Sequence, residues 1–102
     1  MSRITITKPD DWHIHLRDGD MLERTVNDVA AWANRAVVMP NLTPPVKNVS
    51  DATAYHSRIM AALAGFPQFE PLMTLYLTDS TTPDDIAAAA QSNLVCGVKL
   101  YP

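Results

Sequence analysis

A regular alternation of strand-like and helix-like segments most constrains what this chain can fold into. Asp11 to His15 reads as a short strand, and Asp18-Gly19 is a turn signal. Asp20 is placed to cap a helix, with Glu23 completing a capping-box pattern. Met21, Leu22, Thr25, Val26, Val29 and Ala30 then keep one apolar face at helical spacing. Arg35 to Met39, ended by Pro40, reads as a second strand. Pro40 to Lys47 holds three prolines and must be a loop. Ser50 is placed to cap a second helix with the stripe Ala52, Tyr55, Ile59 and Leu63, and Gly65 and Pro67 end it. Pro71 to Leu77 is a third strand. Thr82-Pro83-Asp84-Asp85 is a strong helix start, with a capping hydroxyl, a proline and acids in the first turn. Ala87 to Ala90 is that helix's body, and Val95 to Tyr101 is a fourth strand. The order β-α-β-α-β-α-β argues for a parallel sheet in an α/β fold. An open doubly wound sheet and part of a barrel both satisfy this pattern.

Composition bounds the function. A chain of 102 residues can bury a core, and 47% hydrophobic residues is too rich for disorder. A net charge of −3 supplies no basic face for nucleic acid. The apolar runs are too short to span a bilayer. Met1 to Lys8 alternates like a short strand and lacks the apolar segment of a signal peptide. A single cysteine, Cys96, excludes an internal disulfide and fits a reducing compartment, so a soluble cytoplasmic protein is expected. No repeat, low-complexity stretch or long linker stands out.

Three constellations can carry chemistry. His13 and His15 are two apart on a strand, so they share a face. Two imidazoles so placed can grip one metal at about 2.0–2.1 Å from each nitrogen; the bland alternative is a pair of surface or core histidines. They fall at the C-terminal end of a strand, where α/β folds place their sites. Arg17 follows, and its guanidinium suits an anionic substrate. Asn41, just past the second strand, can donate its amide to a carboxylate or simply close a turn. Lys99 sits in an apolar strand, where burial would expose a nucleophilic amine; the alternative is a lysine snorkelling at a strand end. His56 reads as a solvated helix residue, Asp79 as a turn residue, and Trp12 and Cys96 as core.

Taken together, these residues resemble the dihydroorotase family, in its shorter, single-function bacterial type, within the amidohydrolase superfamily. The resemblance rests on Asp11-Trp12-His13-Ile14-His15-Leu16-Arg17-Asp18-Gly19-Asp20, Met39-Pro40-Asn41-Leu42-Thr43-Pro44-Pro45-Val46, Pro71-Leu72-Met73-Thr74-Leu75-Tyr76-Leu77-Thr78 and Lys99-Leu100-Tyr101-Pro102, in the family's order and spacing. It implies an eight-stranded (β/α) TIM-type barrel, of which this chain supplies about the first half. Residues 1–102 would then be the N-terminal part of one metal-dependent barrel domain. It also implies two zinc ions per subunit, with His13 and His15 as ligands of the more buried one. Lys99 matches the lysine whose amine takes up carbon dioxide to bridge both metals. Arg17 and Asn41, with His15, match residues that contact substrate. The implied reaction is the reversible ring closure of N-carbamoyl-L-aspartate to (S)-dihydroorotate in pyrimidine biosynthesis, by a cytoplasmic homodimer with no nucleic-acid or membrane partner.

By the same resemblance, the remaining histidine ligands, the general-base aspartate and a mobile loop are expected beyond Pro102. No catalytic acid or base is therefore assigned among these residues, and the segment alone is expected to be inactive. Two other classes compete. One is a non-catalytic half-barrel that binds or assembles. The other is a different cyclic amidohydrolase, such as a hydantoinase or allantoinase, though Arg17 and Asn41 fit an acidic substrate better.

Overall fold

Apolar runs bounded by turn residues form the strands, and the amphipathic runs between them form the helices. The computed structural model describes residues 2–102. Its strands are β1 (Asp11–Ile14), β2 (Arg35–Val38), β3 (Glu70–Tyr76) and β4 (Val95–Lys99). Its helices are α1 (Leu22–Ala30), α2 (Val49–Ala62) and α3 (Pro83–Gln91), with a 3-10 turn at Gly19–Met21 ahead of α1.

The strands make one sheet in the order β1-β2-β3-β4, and each neighbouring pair is parallel. This topology decides between the two α/β possibilities. A doubly wound sheet reverses its strand order part-way, whereas a barrel adds each strand beside the last. Right-handed crossovers then put successive helices on one face. Here α1 packs on α2, and α2 packs on β3 and α3. The chain is half of a singly wound (β/α) barrel.

The core lies between helices and sheet. Val26, Val29 and Ala30 of α1 and Ala52, Tyr55 and Ile59 of α2 are buried with Ala36, Val38, Met73 and Leu75 of the strands. Fully burying an aliphatic side chain of this size stabilises by about 1.5–3 kcal/mol. Asp10 ties the entry to β1 onto the start of β2. Its carboxylate accepts from Arg35 Nη2 at 2.6 Å and from the Arg35 backbone N–H at 3.1 Å. The same guanidinium holds the Asp10 carboxyl below the usual carboxylate range.

Local details depart from the sequence expectations. Asp20 does not cap α1, because the chain enters that helix through the 3-10 turn and the cap position falls on Met21. Met21 is consequently exposed rather than part of the apolar face. Asn48, not Ser50, caps α2, accepting from the Asp51 N–H at 2.8 Å. Thr82 and Asp85 form the reciprocal capping box expected for α3. Residues 2–8 form no strand and have no sheet partner; Ile4 and Ile6 are exposed, and Met1 lies outside the described residues. Trp12 is 61% exposed, with the Arg35 guanidinium 5.2 Å from its ring centroid, so it is not core. Cys96 is exposed, as is Val98 on the same face of β4, and β4 gains an extra residue there, pairing Met73 with Val95 but Thr74 with Gly97. β4 ends at Lys99 rather than Tyr101.

Truncating the core should cost more than removing a cap. In the full-length protein, Ile59→Ala is expected to cost about 2–5 kcal/mol. Thr82→Ala is expected to cost about 1 kcal/mol. Urea unfolding measures both, and equal losses would contradict the packing described.

Candidate metal and carboxylate site

Because the sheet is parallel, the C-terminal ends of all four strands lie on one rim. His13 falls near the end of β1, His15 just after it, Asn41 beyond β2 and Lys99 at the end of β4. The sheet register explains which of these meet. Val38 pairs with Met73, and Tyr76 pairs with Lys99. Asn41 follows Val38 by the same interval that Tyr76 follows Met73, so Asn41 and Lys99 arrive level on either side of β3. Lys99 Nζ donates to Asn41 Oδ1 at 2.7 Å. With its oxygen so engaged, the Asn41 amide turns its N–H donors away from the lysine. Lys99 Nζ also lies 5.2 Å from the Tyr101 ring centroid.

The two histidines are aimed together by an irregular strand. β1 pairs Asp11 with Ala36 and Ile14 with Val38, so it carries one residue more than β2 across this stretch. The His13 N–H turns to Asp11 Oδ1 at 2.9 Å. Such irregularities re-aim side chains next to sites. The result places His13 Nε2 and His15 Nε2 3.2 Å apart. Two nitrogens on a tetrahedral ion, each at about 2.0–2.1 Å, sit about 3.3 Å apart. The pair therefore fits one zinc-sized ion as two of its ligands. Among the described residues, no cluster of three His, Cys, Asp or Glu side chains accompanies them.

Electrostatics favour a lone pair on His15. Burial lowers its pKa most, and the positive charges of Lys99, Arg17 and His13 lower it further. A neutral imidazole is the metal-binding form. The sign for stability follows. Above the ordinary imidazole value, about 6.5, the neutral form costs nothing. As pH falls from there through the depressed folded value, the unfolded chain binds the proton more readily and stability is lost.

Arg17 belongs to the same rim but to a different wall. It is a non-glycine residue at φ 61°. On one side of it, Leu16 is fully buried and its carbonyl accepts from Thr25 Oγ1 at 2.6 Å. The Arg17 carbonyl accepts from the Tyr55 hydroxyl of α2. Asp18 accepts from Arg58 Nε at 3.0 Å and Nη2 at 2.9 Å. Arg17 lines an open cleft with Thr43, Pro44, Lys47, Asn48 and Arg58, and the histidines, Asn41 and Lys99 lie outside it. The sequence reading placed Tyr55 only on an apolar stripe. Its hydroxyl was the available signal, since a buried tyrosine O–H usually finds a partner. His56 is half-buried rather than solvated, and burial lowers its pKa. Asp79 is exposed at a turn, as expected.

Fold and site define a class: a (β/α) half-barrel carrying paired histidines, a lysine and an asparagine on its C-terminal rim. Comparison with known proteins is more specific. The chain is 58% identical over 102 residues to a dihydroorotase of Rhizobium leguminosarum bv. trifolii, covering 100% of this chain and 30% of that protein. It is 61% identical over 100 residues to a dihydroorotase of Cupriavidus taiwanensis, covering 98% and 29%. Among solved structures, the dihydroorotase of Campylobacter jejuni matches with a TM-score of 0.82 and 40% identity over 93% of this chain and 27% of that one. The dihydroorotase of Saccharomyces cerevisiae, in complex with 5-fluoroorotic acid, matches with a TM-score of 0.83 and 34% identity over 92% and 25%. No family model matches the chain. By sequence and by fold, the chain corresponds to the N-terminal portion of dihydroorotases. It spans about 30% of the length of the curated relatives it matches. Among the described residues, no helix is long and apolar enough to cross a membrane.

In the metal-free full-length protein, His15 should titrate below about 6.5. Lys99→Gln should raise that midpoint without restoring it fully, because burial is the larger cause and remains. Imidazole NMR resonances followed against pH measure this. A midpoint unmoved by the substitution would contradict the geometry.

Proposed function

We propose that the protein containing this chain is a dihydroorotase, interconverting N-carbamoyl-L-aspartate and (S)-dihydroorotate in pyrimidine biosynthesis. Residues 1–102 are read as the N-terminal part of its single barrel domain. The placement of His13, His15, Asn41 and Lys99 on one rim carries this reading, and similarity to dihydroorotases over the whole of this chain and about 30% of their length supports it. The Saccharomyces cerevisiae relative was solved with 5-fluoroorotic acid, a ring carboxylic acid, which supports a carboxylate-bearing ring as substrate.

Zinc is the group these residues would hold, two ions per subunit, with His13 and His15 on the first. Bound there, zinc supplies polarisation of the ring amide carbonyl and a water acidic enough to ionise near neutral pH. The chain's own residues do the rest of what falls to them. His13 and His15 each offer an Nε2 lone pair. Lys99 as an ammonium has no lone pair for a metal; carboxylated at Nζ by carbon dioxide, with loss of its protons, it would offer anionic oxygens. Arg17 holds the substrate carboxylate through paired N–H donors, and the Asn41 amide offers a further donor from the neighbouring wall. His15 also borders the substrate. The general base that moves the proton is assigned to another part of the barrel, an aspartate. A cytoplasmic homodimer acting on small molecules completes the reading.

Zinc analysis and kinetics of the full-length protein test it. His15→Ala should lose bound zinc and lower turnover roughly 100-fold or more, since even outer partners of metal ligands cost about 10- to 100-fold. Arg17→Ala should raise KM for N-carbamoyl-L-aspartate by about 10- to 100-fold, as a hydrogen bond to a charged group is worth about 1.5–3 kcal/mol. Faster turnover of hydantoin than of dihydroorotate would overturn the assigned substrate.

A further inference from the structure

We propose that Tyr55 is a positioning residue for Arg17, its hydroxyl holding the Arg17 carbonyl so that the left-handed backbone there aims the guanidinium at substrate. This rests on the reading of Arg17 as the holder of the substrate carboxylate. A non-glycine residue at positive φ is uncommon, and it persists only where its surroundings over-determine it. Arg17 sits at φ 61°. Among the described residues, its guanidinium makes no hydrogen bond to another protein group. Its reach is therefore set by the direction in which the backbone launches the side chain.

One face of α2 supplies the grip. Tyr55 is fully buried and donates its hydroxyl to the Arg17 carbonyl. Arg58 lies one helical turn on, on the same face. It binds the carboxylate of the next residue, Asp18, through two nitrogens. The Arg58 guanidinium also stacks 5.3 Å from the Tyr55 ring centroid. Two consecutive residues of the loop are thus fastened from one helix. Burial pushes the Tyr55 hydroxyl pKa upward, so it stays a donor throughout the neutral range. Packing alone would require only the ring, and phenylalanine would satisfy it.

Kinetics of the full-length enzyme separate these roles, using Tyr55→Phe, Arg17→Ala and the double variant. Tyr55→Phe should raise KM for N-carbamoyl-L-aspartate by roughly 3- to 10-fold, in keeping with one buried hydrogen bond, with kcat changed less than about twofold. In the Arg17→Ala background the same substitution should leave KM unchanged. Equal effects of Tyr55→Phe in both backgrounds, or no effect on KM in a folded protein, would overturn the proposal. If Arg17→Ala itself leaves KM unaltered, the carboxylate reading fails, and the positioning role falls with it. Should Tyr55→Phe not fold, Arg58→Met loosens the same loop from its exposed side. A KM rise from Arg58→Met that vanishes in the Arg17→Ala background supports the α2 grip, and one that persists there overturns it.

Discussion

A strand in a parallel sheet can be followed by its neighbour only after a crossover that carries the chain back to the starting end. That constraint puts every post-strand loop on the same rim. Here it brings residues far apart in sequence, His13, Asn41 and Lys99, to one end of the sheet. The helices that make the crossovers bury their apolar faces on the other side of the strands. Val26, Tyr55 and Ile59 are among the fully buried ones. Stability is thus concentrated under the helices, and the rim is left to polar groups. The division explains how one small sheet carries both a dry core and a lysine bonded to an asparagine.

Register does the fine positioning. The pairing of β2, β3 and β4 brings Asn41 and Lys99 level, and their 2.7 Å hydrogen bond is its direct consequence. The extra residues in β1 and β4 act differently on the two edges. In β1 the irregularity turns His13 toward His15. In β4 it falls at the exposed Cys96. A positive charge at Lys99 disfavours protonation of His15, although the burial of the ring contributes more. The rim is therefore electrostatically coupled even between groups that do not share a hydrogen bond.

Much of this was legible in the chain. Strand and helix order followed from apolar periodicity, and the Thr82 capping box from its residue types alone. The two-residue spacing of His13 and His15 and the position of Lys99 within an apolar strand marked the candidate site. The choice between doubly wound sheet and barrel was not legible, because it depends on which strands pair rather than on where strands occur. Asn48 and Ser50 are both good capping residues, and only the backbone at Asn48 decided between them. The exposure of Cys96 reflects a face of β4 left uncovered, Val98 being exposed on it too, and composition does not show which strand faces are covered. Tyr55 was visible as a buried helix position. Its bond to the Arg17 carbonyl was not, since that contact joins a helix to a loop 38 residues earlier.

His13 and His15 are proposed as one side of a metal site on this rim, completed through Lys99. Zinc anomalous diffraction from crystals of the full-length protein tests it most directly. A zinc peak is expected about 2.0–2.1 Å from both Nε2 atoms, with density joining the Lys99 side chain to the metal. Zinc-loaded crystals in which the two histidines face each other without an ion between them, or in which the metal lies elsewhere, would contradict it.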